Sequence, residues 1–149
     1  KDMSLTEKIN ADIKTAMLAK EKEKLEALRG VKAALLLAQS STEPVTDENE
    51  IKLLQKLVKQ RREAAEIYKT QNRIDLAEPE LFQANIIQQY LPAQMGEEEI
   101  KKIIQQAISQ TGASSIKDMG KVMGIASKEL AGKADNKMVS EMVKKLLGN

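Results

Sequence analysis

A stripe of lysines in the last third of the sequence carries side chains of a type that can bind phosphate. Lys117, Lys121 and Lys128 are spaced by four and seven residues, which places them on one face of an α-helix. Ammonium groups on one face attract the anionic backbone of a nucleic acid. The net excess of two positive charges lies after Met95, where nine lysines oppose seven acidic residues. The stripe is therefore the candidate for binding a phosphate-rich partner.

Two glycines interrupt the same predicted helix. Gly120 and Gly124 each cost about 1 kcal/mol relative to alanine in a helix interior, so their presence calls for a reason. One interpretation is that a neighbouring helix crosses closely at these positions. The other is that a phosphate or ribose approaches the bare backbone while the lysines supply charge. Both can hold, since one glycine can serve each purpose.

The basic surface continues past this helix, because Lys133 and Lys137 lie in and just after a turn from Gly132 to Asp135. The candidate RNA-binding residues are therefore Lys117, Gly120, Lys121, Gly124, Lys128, Lys133 and Lys137.

The absence of Cys and His excludes much other chemistry. These two residue types are needed for zinc sites built on those ligands, iron–sulfur clusters, disulfides, thiol nucleophiles and histidine-based triads. Glu97, Glu98 and Glu99 fit the positive end of a helix and need no catalytic explanation. We assign no catalytic residue, no metal ligand and no cofactor.

The positions of the aromatic residues and arginines restrict how RNA would be recognised. The three aromatic residues, Tyr68, Phe82 and Tyr90, all precede Leu91, so the C-terminal part offers no ring on which a base could stack. No arginine follows Arg73, which removes the usual bidentate partner of guanine. An RNA partner is expected to be folded and to be held by backbone charge and shape.

A second group of cations lies further upstream, at Lys52, Lys56, Lys59, Arg61 and Arg62. Lys59 with Glu63, and Arg62 with Glu66, have the four-residue spacing of ion pairs within a helix. This spacing favours a solvated charged face over a binding site.

The elements that position these residues are predicted to be helical throughout. Few aromatic residues, 42% hydrophobic and 31% charged residues are typical of an all-α protein. About four helices are expected in an N-terminal domain, 3–92, and three in a small C-terminal domain, 96–149. Pro92 stops the fourth helix, and residues 93–96 form the boundary.

The helix that carries the lysines is predicted to begin at Ser115, with Asp118 in its first turn and Ile116 on its buried side. Gly132 is expected to end it, and Asp135 to cap the last helix.

No stretch approaches the roughly 18 consecutive apolar residues of a membrane span, and the first residues lack the apolar segment of a signal peptide. We expect a cytoplasmic protein with no membrane partner.

Four segments, in order along the chain, resemble the GatB/YqeY family: 90–95, 112–115, 118–124 and 132–135. The resemblance extends from about Leu5 to Leu147 and is closest to the free-standing YqeY-type members. It implies an all-helical protein whose C-terminal domain is similar to the tail of the B subunit of Asp/Glu-tRNA amidotransferase. That tail is associated with holding the tRNA body, and the motif carries this role over to Gly120, Lys121, Gly124 and Lys133.

These observations predict an accessory protein that binds tRNA or another folded RNA without catalysis of its own. The resemblance links the family to carbon–nitrogen ligase activity with glutamine as the amide donor, and to aminoacyl-tRNA or amidotransferase-related partner proteins. A protein-interaction module whose Gly120 and Gly124 face docks a partner helix is the alternative. A third hypothesis is a component that supports amide transfer only in complex with other subunits.

Overall fold

The computed structural model describes residues 3–41 and 45–148. In these ranges every regular element is helical and there is no strand, which confirms the all-α prediction. The helices are α1 (Leu5–Leu18), α2 (Lys22–Gln39), α3 (Asp47–Thr70), α4 (Ile74–Gln88), α5 (Glu97–Thr111), α6 (Met119–Glu129) and α7 (Asn136–Gly148), with a 3-10 turn over Ile116–Asp118 before α6.

The chain divides into two compact units, the first extending to Leu91 and the second starting at Pro92. The assignment of separate domains at 3–92 and 96–149 stays a prediction. The segment 93–96, expected to be a boundary, contributes backbone and side-chain hydrogen bonds to the second unit.

The first unit consists of two helical hairpins. α1 packs along α2, α3 packs along α4, and α2 contacts both helices of the second hairpin. Leu28, Leu35, Leu54 and Ile87 are fully buried where these helices meet. Lys20, with a φ of 59°, turns the chain between α1 and α2, and its left-handed conformation is one that ends a helix.

The second unit is a three-helix arrangement in which α5, α6 and α7 contact one another in pairs. Its core includes Ile100 and Ile104 of α5, Val122 of α6, and Val139 and Val143 of α7, each no more than 1% exposed. Spacings of three and four residues put these apolar side chains on the inner face of each helix. The opposite face of α6 is thereby directed to solvent.

Local signals in the sequence set the ends of these helices. Gly112 ends α5 in the left-handed region, at a φ of 68°, which glycine adopts without steric cost. Asp135 caps α7, as predicted, because its Oδ1 accepts a hydrogen bond from the Lys137 backbone N–H at 3.3 Å.

Two expectations about α6 were wrong. The α-helix begins at Met119 and not at Ser115, since a 3-10 turn occupies residues 116–118. Ile116, expected in the core, is 51% exposed, because the tighter turn changes the direction of its side chain relative to the buried face of α6.

Candidate nucleic-acid interface

The outer face of α6 includes two exposed lysines and two exposed glycines. Val122 and Ala126 are completely buried, whereas Lys121, Gly124 and Lys128 are exposed. Seven residues of α-helix span about 10 Å, so Lys121 and Lys128 lie at a separation comparable to the Debye length of about 8 Å at physiological salt. Their fields overlap at the position of Gly124, between them.

The two glycines of this face have open space beside them. Apart from its chain neighbours and the backbone of its own helix, a Cβ atom built on Gly120 or on Gly124 meets no atom of the described second unit within 4 Å. The interpretation that a neighbouring helix crosses there is therefore wrong for the described helices of the second unit. The helix accepts the conformational cost of two glycines at positions where the described fold makes no use of their small size.

Lys117 lies in the 3-10 turn before α6, and its side chain is exposed. The expectation that it belongs to the same α-helix as Lys121 was wrong, although it stays next to that helix in sequence.

Asp118 organises this turn. Its Oδ2 accepts a hydrogen bond from the Ser114 backbone N–H at 3.0 Å. This hydrogen bond is the largest cause that lowers the pKa of the Asp118 carboxyl below its ordinary value, and the nearby Lys121 ammonium lowers it further. The ionised carboxylate therefore fixes the start of α6 while partly offsetting the positive charge of Lys121.

The two remaining lysines lie at the turn between α6 and α7. Gly132 has a φ of 76°, and the Lys133 backbone N–H donates to the Leu130 carbonyl at 2.9 Å. Lys133 is half-buried and Lys137, in the first turn of α7, is exposed. Ala134, 8% exposed, anchors this turn in the core.

Gln94 contributes to this region, and the sequence interpretation missed it. Its Nε2 donates to the Gly132 carbonyl at 2.7 Å and to the Pro92 carbonyl at 3.2 Å. The sequence contained a signal, because Gln94 lies within one of the four segments that carry the family resemblance. Assignment of 93–96 to a domain boundary concealed its role.

The five candidate lysines of the second unit form no ion pair with any described residue. In the ranges 3–41 and 45–148, no carboxylate lies within 4 Å of the ammonium groups of Lys117, Lys121, Lys128, Lys133 or Lys137. These charges consequently remain available to an external anion. We call the surface formed by Lys117, Gly120, Lys121, Gly124 and Lys128 the lysine–glycine face.

The upstream cations have different surroundings. Arg61 pairs with Glu80 of α4 at 3.3 Å, with both side chains partly buried, and its guanidinium lies over Gly30 of α2. Arg62 donates to Gln88 of α4 at 3.4 Å. Both arginines therefore connect helices within the first unit.

The predicted pairing along α3 was wrong in its partners. Glu66 pairs with Lys69 at 3.4 Å, and Lys52 with Glu48 at 3.6 Å. Exposed pairs of this kind contribute little to stability. Lys56 and Lys59 are exposed on the same helix, which fits the solvated charged face that the sequence favoured.

Residues 3–41 and 45–148 show neither a metal-binding cluster nor a membrane-spanning helix. No group of three or more acidic residues is arranged to hold a metal ion. No described helix is long and apolar enough to cross a membrane.

The fold and this surface together define an all-helical protein of two units. The second unit exposes a face of glycines and of lysines that form no ion pair with any residue that the structure describes. The chain belongs to the Yqey-like protein family, whose model matches residues 6–147.

Two relatives carry the name altered inheritance of mitochondria protein 41, mitochondrial. The protein from Pyrenophora tritici-repentis is 29% identical over 95% of this chain and 80% of its own length. The one from Meyerozyma guilliermondii is 32% identical over 93% of this chain and 74% of its own length. The name places these two relatives in mitochondria, and the cytoplasmic location expected for this chain stays a prediction.

Proposed function

We propose that this protein binds tRNA or a similarly folded RNA through the lysine–glycine face, assisted by Lys133 and Lys137. The observation that carries the proposal is the combination of open space at Gly120 and Gly124 with exposed lysines beside them that form no ion pair within the described residues. Positive charge attracts phosphate over a distance, and the missing Cβ atoms let a phosphate or ribose reach the helix backbone.

Such a surface holds RNA by its backbone. Lysine is a point charge that contacts phosphate without reading the base sequence. The second unit contains no aromatic residue and no arginine, so it lacks both stacking platforms and bidentate donors to guanine. We therefore expect similar affinity for different tRNAs and strong dependence on salt.

The family supports this assignment. The second unit resembles the tail of the B subunit of tRNA-dependent amidotransferases, a tail associated with holding the tRNA body. The corresponding positions, Gly120, Lys121 and Gly124, are exposed on one side of α6. Lys133 follows on the turn that joins α6 to α7.

The proposal is tested by replacing Lys121 with alanine. Loss of one phosphate contact should weaken binding to several tRNAs by the same factor and reduce the magnitude of the slope of log K against log salt by about 1. Affinities of the full chain are measured by fluorescence anisotropy at two or more salt concentrations. Lys14→Ala removes an exposed lysine from α1 of the other unit and serves as the matched control. Equal affinity and slope for Lys121→Ala and the unchanged protein would contradict the assignment.

A protein-interaction module is the second candidate, and the open glycines favour it too. Glycines four residues apart on an exposed helix also allow a partner helix to approach closely. Replacing Gly124 with leucine would then abolish co-purification of a protein while leaving RNA affinity unchanged. A parallel loss of RNA affinity in this variant would favour the RNA assignment.

The link to amide transfer belongs to the same proposal. If aminoacyl-tRNA or amidotransferase-related proteins are the partners, glutamine-dependent turnover should arise only when those subunits are added. The chain is then an accessory subunit of the reaction and supplies RNA binding.

A further inference from the structure

The segment 92–95 is bound to the turn that carries Lys133. Gln94 Nε2 donates to the Gly132 carbonyl at 2.7 Å, and the Met95 backbone N–H donates to the Lys133 carbonyl at 2.9 Å. Two successive carbonyls of the turn thus accept hydrogen bonds from two successive residues of the segment. The two segments lie 38 residues apart in sequence, and both carry the family resemblance.

This contact restrains a turn that would otherwise be free to change conformation. Gly132, at a φ of 76°, can occupy several regions of backbone space at similar cost. The hydrogen bonds from Gln94 and Met95, together with that from the Lys133 N–H to the Leu130 carbonyl, fix the peptides on both sides of Lys133. Fixing these peptides determines the direction in which the Lys133 side chain leaves the surface.

We propose that Gln94 is a positioning residue that holds the Gly132 turn in the conformation that presents Lys133 to the phosphates of folded RNA. The inference rests on the proposed function. It assigns Gln94 no contact with RNA, and its effect on binding passes entirely through Lys133. Removal of the Gln94 donor should therefore cost no more affinity than removal of Lys133 itself.

The substitution Gln94→Met tests this inference, because methionine has nearly the length of glutamine and donates no hydrogen bond. Gln94→Glu is the second variant, since it keeps the shape and replaces the donor by a carboxylate. Gln105→Met makes the same change at an exposed position of α5 and is the matched control. Circular dichroism of each full-length variant checks that it remains folded.

The readout is the affinity for a folded tRNA transcript as a function of salt, measured for Gln94→Met, Lys133→Ala and the double variant. Both single variants are expected to weaken binding and to reduce the magnitude of the salt slope, by about 1 for Lys133→Ala. In the Lys133→Ala background, Gln94→Met should have no further effect, because its only route to RNA is already removed. Amide hydrogen exchange should show faster exchange at Met95 in Gln94→Met.

The outcomes separate this inference from the proposed function. If Lys133→Ala weakens binding and Gln94→Met does not, the positioning role is overturned and RNA binding stands. An equal loss from Gln94→Met with and without Lys133 would indicate a general structural effect and also overturn it. Normal binding by Lys133→Ala would also overturn the positioning role, because Lys133 would then make no contribution to RNA binding. Failure of the unchanged protein to bind the transcript would overturn the proposed function, and the inference would fall with it.

Discussion

Gly124 is costly for the fold and, in the proposed function, useful for binding. In the middle of α6 it lowers helix stability relative to alanine by about 1 kcal/mol, and no described neighbour requires its small size. Gly124 lies on the side of the helix opposite Val122, where the packing does not need a glycine. Its presence there indicates a requirement outside the described fold. In the proposed function that requirement is the close approach of RNA to the backbone.

Gly124→Ala should therefore separate stability from binding. Since a Cβ atom fits in open space at this position, the free energy of unfolding should rise by about 1 kcal/mol, measured by urea denaturation. Affinity for tRNA should fall, because the added methyl group separates the phosphate from the helix. Ser109→Ala, at an exposed position of α5, also raises helix propensity and should leave RNA affinity unchanged. Higher stability with undiminished affinity for Gly124→Ala would show that the glycine has no part in RNA binding.

At the scale of elements, the 3-10 turn over Ile116–Asp118 determines where α6 starts and how Lys117 is presented. The turn is closed by the Asp118 carboxylate, which accepts the Ser114 N–H at 3.0 Å. A hydrogen bond to the charged form favours ionisation, so the pKa of Asp118 lies below its ordinary value of 3.8.

This lowered pKa gives the turn a pH dependence of known sign. The unfolded chain binds a proton at Asp118 more readily than the folded one, so the carboxylate contributes stability fully above 3.8. That contribution is lost as the pH falls below 3.8 through the lower folded value. The difference in melting temperature between the unchanged protein and Asp118→Ala should be largest at neutral pH and should shrink in this acidic range. Thermal melts followed by circular dichroism over a pH series measure it, and a difference that grows on acidification would refute the assignment.

At the scale of the whole molecule, the buried residues form two clusters, one in each unit. The second unit has fewer than 60 residues, and a unit of this size buries a smaller fraction of its surface than a larger domain does. Each fully buried side chain in it therefore accounts for a large share of its stability. The proposed RNA-binding surface depends on that small core, because α6 presents its lysines only while Val122 and Ala126 stay packed.

Ile104→Ala tests this dependence. Ile104 is completely buried in α5, and its truncation should lower the free energy of unfolding of the second unit by about 2–5 kcal/mol. Hydrogen exchange should become faster across residues 97–148 and change little in α1 to α4, since Ile104 belongs to the second cluster alone. Ile67→Ala, at a side chain that is 56% exposed, is the control and should change stability by no more than about 0.5 kcal/mol. Uniformly faster exchange in both units would show that the two cores are not energetically separate.

The sequence by itself determined the elements whose signals are local. Apolar residues at spacings of three and four defined the inner faces of α5, α6 and α7, because that period matches the helix. Asp135 marked the start of α7 through its side-chain oxygen. The exposure of Lys121 and Lys128 followed from the same period, as they lie opposite Val122 and Ala126.

The tertiary structure decided the features that depend on residues far apart in the chain or on the local geometry of the backbone. Spacing left open whether a helix crosses Gly120 and Gly124, because small residues serve both close helix packing and ligand approach. The structure decided the question, since no described helix of the second unit covers either position. The 3-10 turn was missed because its apolar Ile116 fits the helical period. Gln94 was missed because a hydrogen bond to Gly132 joins segments whose proximity no local pattern records.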